Sequence, residues 1–319
     1  MNRYKVTIIL ATYNRAAILP LCLESIVAQT YQKWKLIIID DGSTDRTEEV
    51  VRPYLDDNRV CYLRNPRNQG MIRSRNRGIN QCETDLAFIA EDDVILYQDC
   101  LKALVERYNN LRAKGIKNIF CVAPKILNVS SPSQSIGSFQ NEQSRFTLNK
   151  FTGWIYTHYG NEFVETPILP SVGLYNGGLL RKIKHDENYG RVVFHSDDDL
   201  HLTARRLGLR LFYEPKAKAR HLQYRGGGCR GTGFFAFARK TYYLWKNHTR
   251  FTCKFFGKEC IYMNAIFTLT HLIYSCFSLP VAIYIPREGT QESTSIRSFR
   301  DAYRKIFKTL SPIILKDLT

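Results

Sequence analysis

Residues 6–51 read VTIILATYNRAAILPLCLESIVAQTYQKWKLIIIDDGSTDRTEEVV, two short apolar runs, each followed by a polar cluster, with a segment of helical spacing between them. The runs 6–11 and 35–40 scarcely alternate between polar and apolar residues, which marks strands covered on both faces and hence a largely parallel sheet. Between them Ile18, Leu21, Cys22, Ser25 and Ile26 recur at helical intervals, so the unit is strand, helix, strand. Outward along the chain, runs 60–63 and 86–90 repeat it, with Val50, Val51 and Tyr54 helical in spacing. In doubly wound α/β sheets ligands bind beyond the carboxyl ends of the strands. Those ends carry Thr12-Tyr13-Asn14, Asp40-Asp41 and Glu91-Asp92-Asp93.

The rest of the 319 residues limits the choices. With 44% hydrophobic and 24% charged residues, 11 Pro and 19 Gly, the chain is neither disordered nor collagenous. Nine scattered cysteines without a C-x-x-C pair or metal spacing indicate neither a disulfide framework nor a zinc site, and fit a reducing compartment. The N-terminus runs straight into strand pattern and shows no secretion signal. The net charge of +17 is gathered late: residues 1–199 hold 25 Lys and Arg against 23 Asp and Glu, residues 200–319 hold 21 against 6. Such a basic excess suits an anionic partner.

Residues 128–165, rich in Ser, Asn and Gln, read as a long surface insertion. Periodicity resumes near Pro167, passes Gly177-Gly178, and reaches Asp197-Asp198-Asp199, which open a helix to Leu207 that Gly208 ends; 209–213 follow as a strand. Aromatic residues and cations interleave over 232–258, and 261–285 carries no charged residue, although Asn264, Thr268, Thr270, His271 and Pro280 interrupt it. That last stretch is long enough to span a bilayer, to lie in its interface, or to pack as an ordinary helix.

Adjacent carboxylates at a strand end, as in Glu91-Asp92-Asp93, are what Mg2+ or Mn2+ uses when it also holds substrate phosphates, and a solvated acidic turn is the plain alternative. Asp40 and Asp41 supply acceptors for a nucleoside imide or ribose hydroxyl. Ser43 or Thr44 is placed to cap the next helix, with Glu48 at capping-box range. Arg73, Arg75 and Arg77 are cations suited to a diphosphate, though Arg73 and Arg77 read better as a solvated helix face. One of Asp197, Asp198 and Asp199 can serve as a general base, while others complement the helix dipole. His221, before Gly226-Gly227-Gly228, is a metal or phosphate contact or simply structural. No phosphate-binding G-x-x-x-x-G-K-[ST] loop, H-E-x-x-H or G-x-S-x-G is present, which removes the common NTPase, zinc protease and serine hydrolase classes.

Taken together, residues 6–51, NQGMIRSRNRGI (68–79) and the strand before Glu91-Asp92-Asp93 resemble the N-terminal half of family-2 glycosyltransferases. The resemblance implies a GT-A fold: an α/β, mostly parallel mixed sheet flanked by helices, here with a basic, aromatic, helical C-terminal extension. The expected organisation is a GT-A domain at 1–230, with a nucleotide-binding half to 100 and an acceptor and catalytic half from 101, and a C-terminal region at 231–319 whose basic, aromatic composition suits a membrane surface or packing against the catalytic domain. Residue by residue the resemblance implies that Thr12, Tyr13 and Asp41 contact the nucleoside with Asp40 and Asp92 beside them, that Arg75 lies near the diphosphate, and that Asp93, Asp92 and His221 hold Mg2+ or Mn2+. SDDDLHLTARRLG resembles the family's E-D-x-D-L-x-x-R segment, which puts Asp197 at the base, although Ser196 stands where Glu is usual and Asp198 and Asp199 remain alternatives.

The implied reaction is inverting transfer from a UDP-, GDP- or dTDP-sugar to a hydroxyl of a lipid-linked or cell-surface glycan, at the cytoplasmic face of a membrane. No nucleic acid is expected as partner. A non-catalytic nucleotide-sugar or anionic-lipid binding protein of the same fold is the competing expectation.

Overall fold

A computed structural model describes residues 4–128, 145–148, 155–158, 160–190, 193–222, 224 and 234–269. Its central sheet orders the strands β3-β2-β1-β4-β10-β6-β11-β5. β1 (Val6–Thr12), β2 (Trp34–Asp40), β3 (Val60–Arg64) and β4 (Leu86–Glu91) are mutually parallel, with Val6 opposite Trp34 and Leu86. β10 (Gly173–Asn176) enters antiparallel between β4 and β6 (Ile119–Asn128). β11 (Arg210–His221) runs parallel to β6 and, past a register shift after Glu214, pairs antiparallel with β5 (Val94–Leu96), so that His221 faces Val94.

Strand alternation splits the core between the two sheet faces. Val6, Ile8, Leu10, Leu36, Ile38 and Phe88 point to one face, packed by α1 (Leu19–Val27) and α4 (Cys100–Ala113). Ile9, Ala87, Ile89 and Tyr175 point to the other, under α3 (Met71–Asn80), α5 (Gly177–Ile183) and α6 (Ser196–Arg206). Hence the unalternating runs in the sequence. Gly177 lets α5 begin against the start of β4: its N–H donates to the Asp85 carbonyl at 2.7 Å, and a Cβ there would lie 2.4 Å from the Thr84 carbonyl oxygen.

Several sequence expectations need correction. The strand expected at 209–213 continues to His221, because its second half pairs with β5 at the edge of the sheet. The insertion is less irregular than its composition: β7 (Arg145–Leu148) and β8 (Ile155–His158) pair as a hairpin, and β9 (Val164–Glu165) joins β11. Neither Ser43 nor Thr44 caps α2 (Thr47–Val51). The helix starts later, and Asp45 accepts from the Thr47 N–H at 3.0 Å, while Glu48 pairs with Arg64 at 2.7 Å rather than closing a capping box. Arg77 is half-buried and donates to the Arg64 carbonyl at 3.0 Å, whereas Arg73 is exposed.

Residues Met1–Tyr274 cluster as one unit, so α7 (Phe234–Phe256), built from the basic aromatic stretch, belongs with the sheet. A short 3-10 turn, Gly257–Glu259, joins it to α8 (260–269). Asn247, His248, Phe251, Thr252, Met263 and Phe267 are fully buried. Among the described residues no helix is long and apolar enough to cross a membrane. The rest of the uncharged stretch to 285, and the glycine triplet, lie outside the described residues.

Candidate active site

The carboxyl ends of β1, β2 and β4 open on one side of the sheet, and the polar clusters meet there. Asn14, in the left-handed region at φ 53°, turns the chain after β1 back over the loop after β2. Its N–H donates to the Ser43 hydroxyl at 2.9 Å and its Oδ1 accepts from the Thr44 N–H at 2.8 Å, while the Arg15 and Ala16 N–H groups reach Thr47 Oγ1 and Asp45 Oδ2 at 3.2 and 3.0 Å. Asp40, fully buried, accepts from the Ser43 N–H at 2.8 Å and the Tyr62 hydroxyl at 2.5 Å. Asp41 accepts from the Asn65 amide at 2.8 Å and from the Gln69 and Gly70 N–H groups at 2.9 and 2.8 Å. A carboxylate has about four acceptor positions. Asp40 therefore braces its own loop, and Asp41 fixes loop 65–70 with one position to spare. Thr12 is buried and Tyr13 half-buried at the same strand end.

Beyond β4 the three acids diverge. Asp92 turns back toward Arg15, whose Nε lies 3.4 Å away; burial pushes its carboxyl up to about 6 against the pull of Arg15, and Asp93 adds to the rise. Glu91, Asp93 and His221 instead converge, with one ligand atom from each within 4.8 Å of the others. His221 Nε2 lies 3.3 Å from Asp93 Oδ1. Two carboxylates and an imidazole at the edge of a cleft are a donor set that a divalent cation of the Mn2+ type accepts.

Arg75, from α3, is 2% exposed and binds this cluster to α6. Its two terminal nitrogens donate to Glu91 Oε1 at 2.7 Å and to Asp197 Oδ1 at 3.1 Å, and Ser171 donates to Glu91 Oε1 at 2.7 Å. Burial pushes the Asp197 carboxyl up to about 6, Arg75 opposes the shift, and Glu91 and Asp198 add to it. Behind it sits His185, whose ring burial and the Arg75 charge hold down to about 3, so the imidazole is neutral. His201, pushed down to about 4 by burial, pairs with the Tyr175 hydroxyl at 3.0 Å on the far side of α6.

The three aspartates at the start of α6 face three ways. Asp197 meets Arg75. Asp198 accepts from His195 at 2.8 Å, and the other ring nitrogen of His195 lies 3.1 Å from His248 of α7. Asp199 accepts from the Tyr189 hydroxyl at 3.1 Å and pairs with Lys254 of α7 at 2.7 Å. Asp198 and Asp199 thus tie α6 to the C-terminal helix, while Asp197 alone of the three contacts the Arg75–Glu91 pair.

The structure links Asp93 and His221 to Arg75 and Asp197 through Glu91, and places Asp92 on Arg15 instead of among the ligand group. Two participants, Arg15 and Ser171, carry no local signal in the sequence. Glu91 is legible there as part of the acidic cluster, although the resemblance assigns the metal to Asp92, Asp93 and His221 without it.

This architecture, a mixed sheet with acids gathered beyond its parallel strand ends, is the GT-A fold of glycosyltransferases. The crystal structure of GalNAc-T7 with UDP, GalNAc and Mn2+ superposes with a TM-score of 0.64 over 94% of this chain and 54% of that one, at 13% identity. The model of glycosyl transferase family 2 matches residues 7–159. It is 31% identical over 104 residues to glycosyltransferase GlyA of Streptococcus pneumoniae, covering 32% of this chain and 15% of that protein. It is 27% identical over 168 residues to the GalNAc(5)-diNAcBac-PP-undecaprenol beta-1,3-glucosyltransferase of Campylobacter jejuni, covering 50% and 53%. The chain spans no more than about half the length of these two relatives.

Proposed function

We propose that this chain transfers a glycosyl group, with inversion, from a nucleoside diphosphate sugar to a hydroxyl of a lipid-linked or cell-surface glycan. One observation carries the reading. Asp197 and the Glu91–Asp93 strand end, about a hundred residues apart in sequence, are joined through one buried guanidinium at the carboxyl ends of the parallel strands, where an open α/β sheet takes its ligand.

Asp197 has one oxygen held by Arg75 and a proton affinity raised to about 6. It is ionised at neutral pH yet still basic enough to take the proton of an acceptor hydroxyl. Neutral His185 beside it offers no competing charge. Arg75 orients the base, and Arg15, three residues past the end of β1, lies against Asp92 and Asp93. Tyr13, Thr12 and the remaining acceptor of Asp41 line the nucleoside side, which Asp40 braces. Glu91, Asp93 and His221 fit a divalent cation, Mn2+ better than Mg2+ because of the imidazole. Bound there, it supplies positive charge beside the departing diphosphate. The UDP and Mn2+ in the GalNAc-T7 crystal structure support a uridine donor, and the undecaprenol in the Campylobacter relative's name supports a lipid-linked acceptor.

Tyr242, Trp245, Ile261, Tyr262 and Leu269 are exposed beside Arg239, Lys240, Lys246 and Lys258, a mixture suited to an anionic membrane surface. On this reading the enzyme works at the cytoplasmic face. Cosedimentation with anionic vesicles, weakened by Ile261→Glu, tests that placement.

The catalytic reading is tested by thermal-shift screening of nucleoside diphosphate sugars with Mn2+, followed by donor turnover. Asp93→Ala should lose Mn2+-dependent donor binding, and Asp197→Asn should lose transfer while still binding donor. Wild-type turnover by Asp197→Asn removes the base. Donor binding without any turnover in the wild-type chain favours the binding-protein alternative.

A further inference from the structure

The corner between α7 and α8 brings two thiols together. Cys253 Sγ, on the last turn of α7, lies 3.0 Å from Cys260 Sγ, at the start of α8, across the turn Gly257–Glu259. Cys253 is exposed and Cys260 half-buried, unlike Cys22, Cys82, Cys100 and Cys121, which are sealed in the core. Neighbouring bonds hold the two helix ends in this register: the Asn264 amide donates to the Thr252 hydroxyl at 3.0 Å and to the Cys260 carbonyl at 2.7 Å. The pair is thus two accessible thiols held side by side by a folded scaffold, which is the arrangement that favours thiol–disulfide exchange.

We propose that Cys253 and Cys260 form a reversible redox site that low-molecular-weight disulfides of the glutathione class convert to an intramolecular disulfide. Either thiol can start the exchange. When Cys260 does, its sulfur bonds to one sulfur of the small disulfide and expels the other half as a thiol. Cys253 then loses its proton and attacks Cys260 Sγ, expelling the second half. The protein loses two hydrogens, and the small disulfide is reduced to two thiols.

The site is linked to the candidate catalytic helix. Lys254, next to Cys253, pairs with Asp199 of α6, and Arg206 at the end of α6 donates to the Lys254 and Phe255 carbonyls at 2.9 and 3.1 Å. Cross-linking closes a short loop at this corner and removes freedom from the unfolded chain. The oxidised form therefore melts a few degrees higher.

The test uses the full chain carrying Cys276→Ser, incubated with glutathione disulfide, quenched with acid and digested with trypsin without reduction. Trypsin separates residues 251–254 from 259–287, each then holding one cysteine. The expected result is a cross-linked pair of these peptides, reversed by dithiothreitol, with a rise in melting temperature that Cys253→Ser abolishes. Both peptides recovered as free thiols, a persistent glutathione adduct on either cysteine, or a covalent dimer through this pair would overturn the proposal. So would a melting temperature unchanged by complete cross-linking, for the claim that the corner is stabilised.

Discussion

Replacing Arg75 by methionine removes the cation that bridges Glu91 and Asp197 while keeping an unbranched chain in the space. Breaking a buried ion pair by deleting one partner costs about 3–5 kcal/mol, since the other charge is left sheltered from water. Here the side chains of Glu91 and Asp197 remain 21% and 23% exposed, so some solvent screening persists and the lower end, ~3 kcal/mol, is expected at pH 8. That corresponds to a fall in melting temperature of about 4–5 °C for a protein of this size.

The pH dependence gives the sharper check. Asp197 already sits at about 6 with Arg75 opposing the rise, so its loss moves the carboxyl higher still. As pH falls through that raised value the variant protonates Asp197 first and sheds the repulsion. The gap to wild type therefore narrows toward pH 5.5, by about 1.4 kcal/mol for each unit of added shift. Melting curves of both proteins with EDTA at the two pH values read this directly. A gap below ~1 kcal/mol at pH 8, or one that does not narrow at pH 5.5, would refute the account of Arg75 as the charge that holds two acids together.

Gly177→Ala should lower stability by about 1–3 kcal/mol, because its Cβ would press on the Thr84 backbone oxygen, while Gly178→Ala, with nothing nearer than 3.5 Å, should change little in the same melting assay. His201 is held neutral with its value pushed down to about 4, so the folded state loses stability as pH falls from 6.5, where the unfolded imidazole begins to charge. Asp92 and Asp197, raised to about 6, act in the opposite sense, so the histidine is best read as a difference. His201→Gln should gain on wild type by about 2 kcal/mol between pH 7 and pH 5, and parallel pH curves would exclude it. Ser171→Ala frees one bond to Glu91 Oε1; Mn2+ titration should show weaker binding by about tenfold, as removal of a partner that orients a ligand does.

What the sequence disclosed follows from how far each signal reaches. β1, β2 and β4 are legible because burial on both faces writes itself into consecutive residues. The acids at their ends are legible because topology assigns them a place. Asp197 was separable from Asp198 and Asp199 only by resemblance, since a helix start spreads three successive residues around its axis, and which of them meets Arg75 depends on α3 packing 120 residues away in sequence. The α2 cap is not legible because Ser43 and Thr44 are taken up by Asn14, which lies in the turn after β1, and Asp45 is left to accept from the Thr47 N–H. The hairpin β7–β8 was hidden by a polar composition that usually marks loops.

The bonds between Asn14, Arg15 and Ala16 on one side and Ser43, Thr44, Asp45 and Thr47 on the other stitch two chain segments into a single rim of the cleft. Neither segment can be redesigned alone. A library meant to alter substrate preference by varying 12–16 would mostly sample unstitched, floppy rims unless 43–47 were varied with it, and paired randomisation of the two stretches is the economical unit of search.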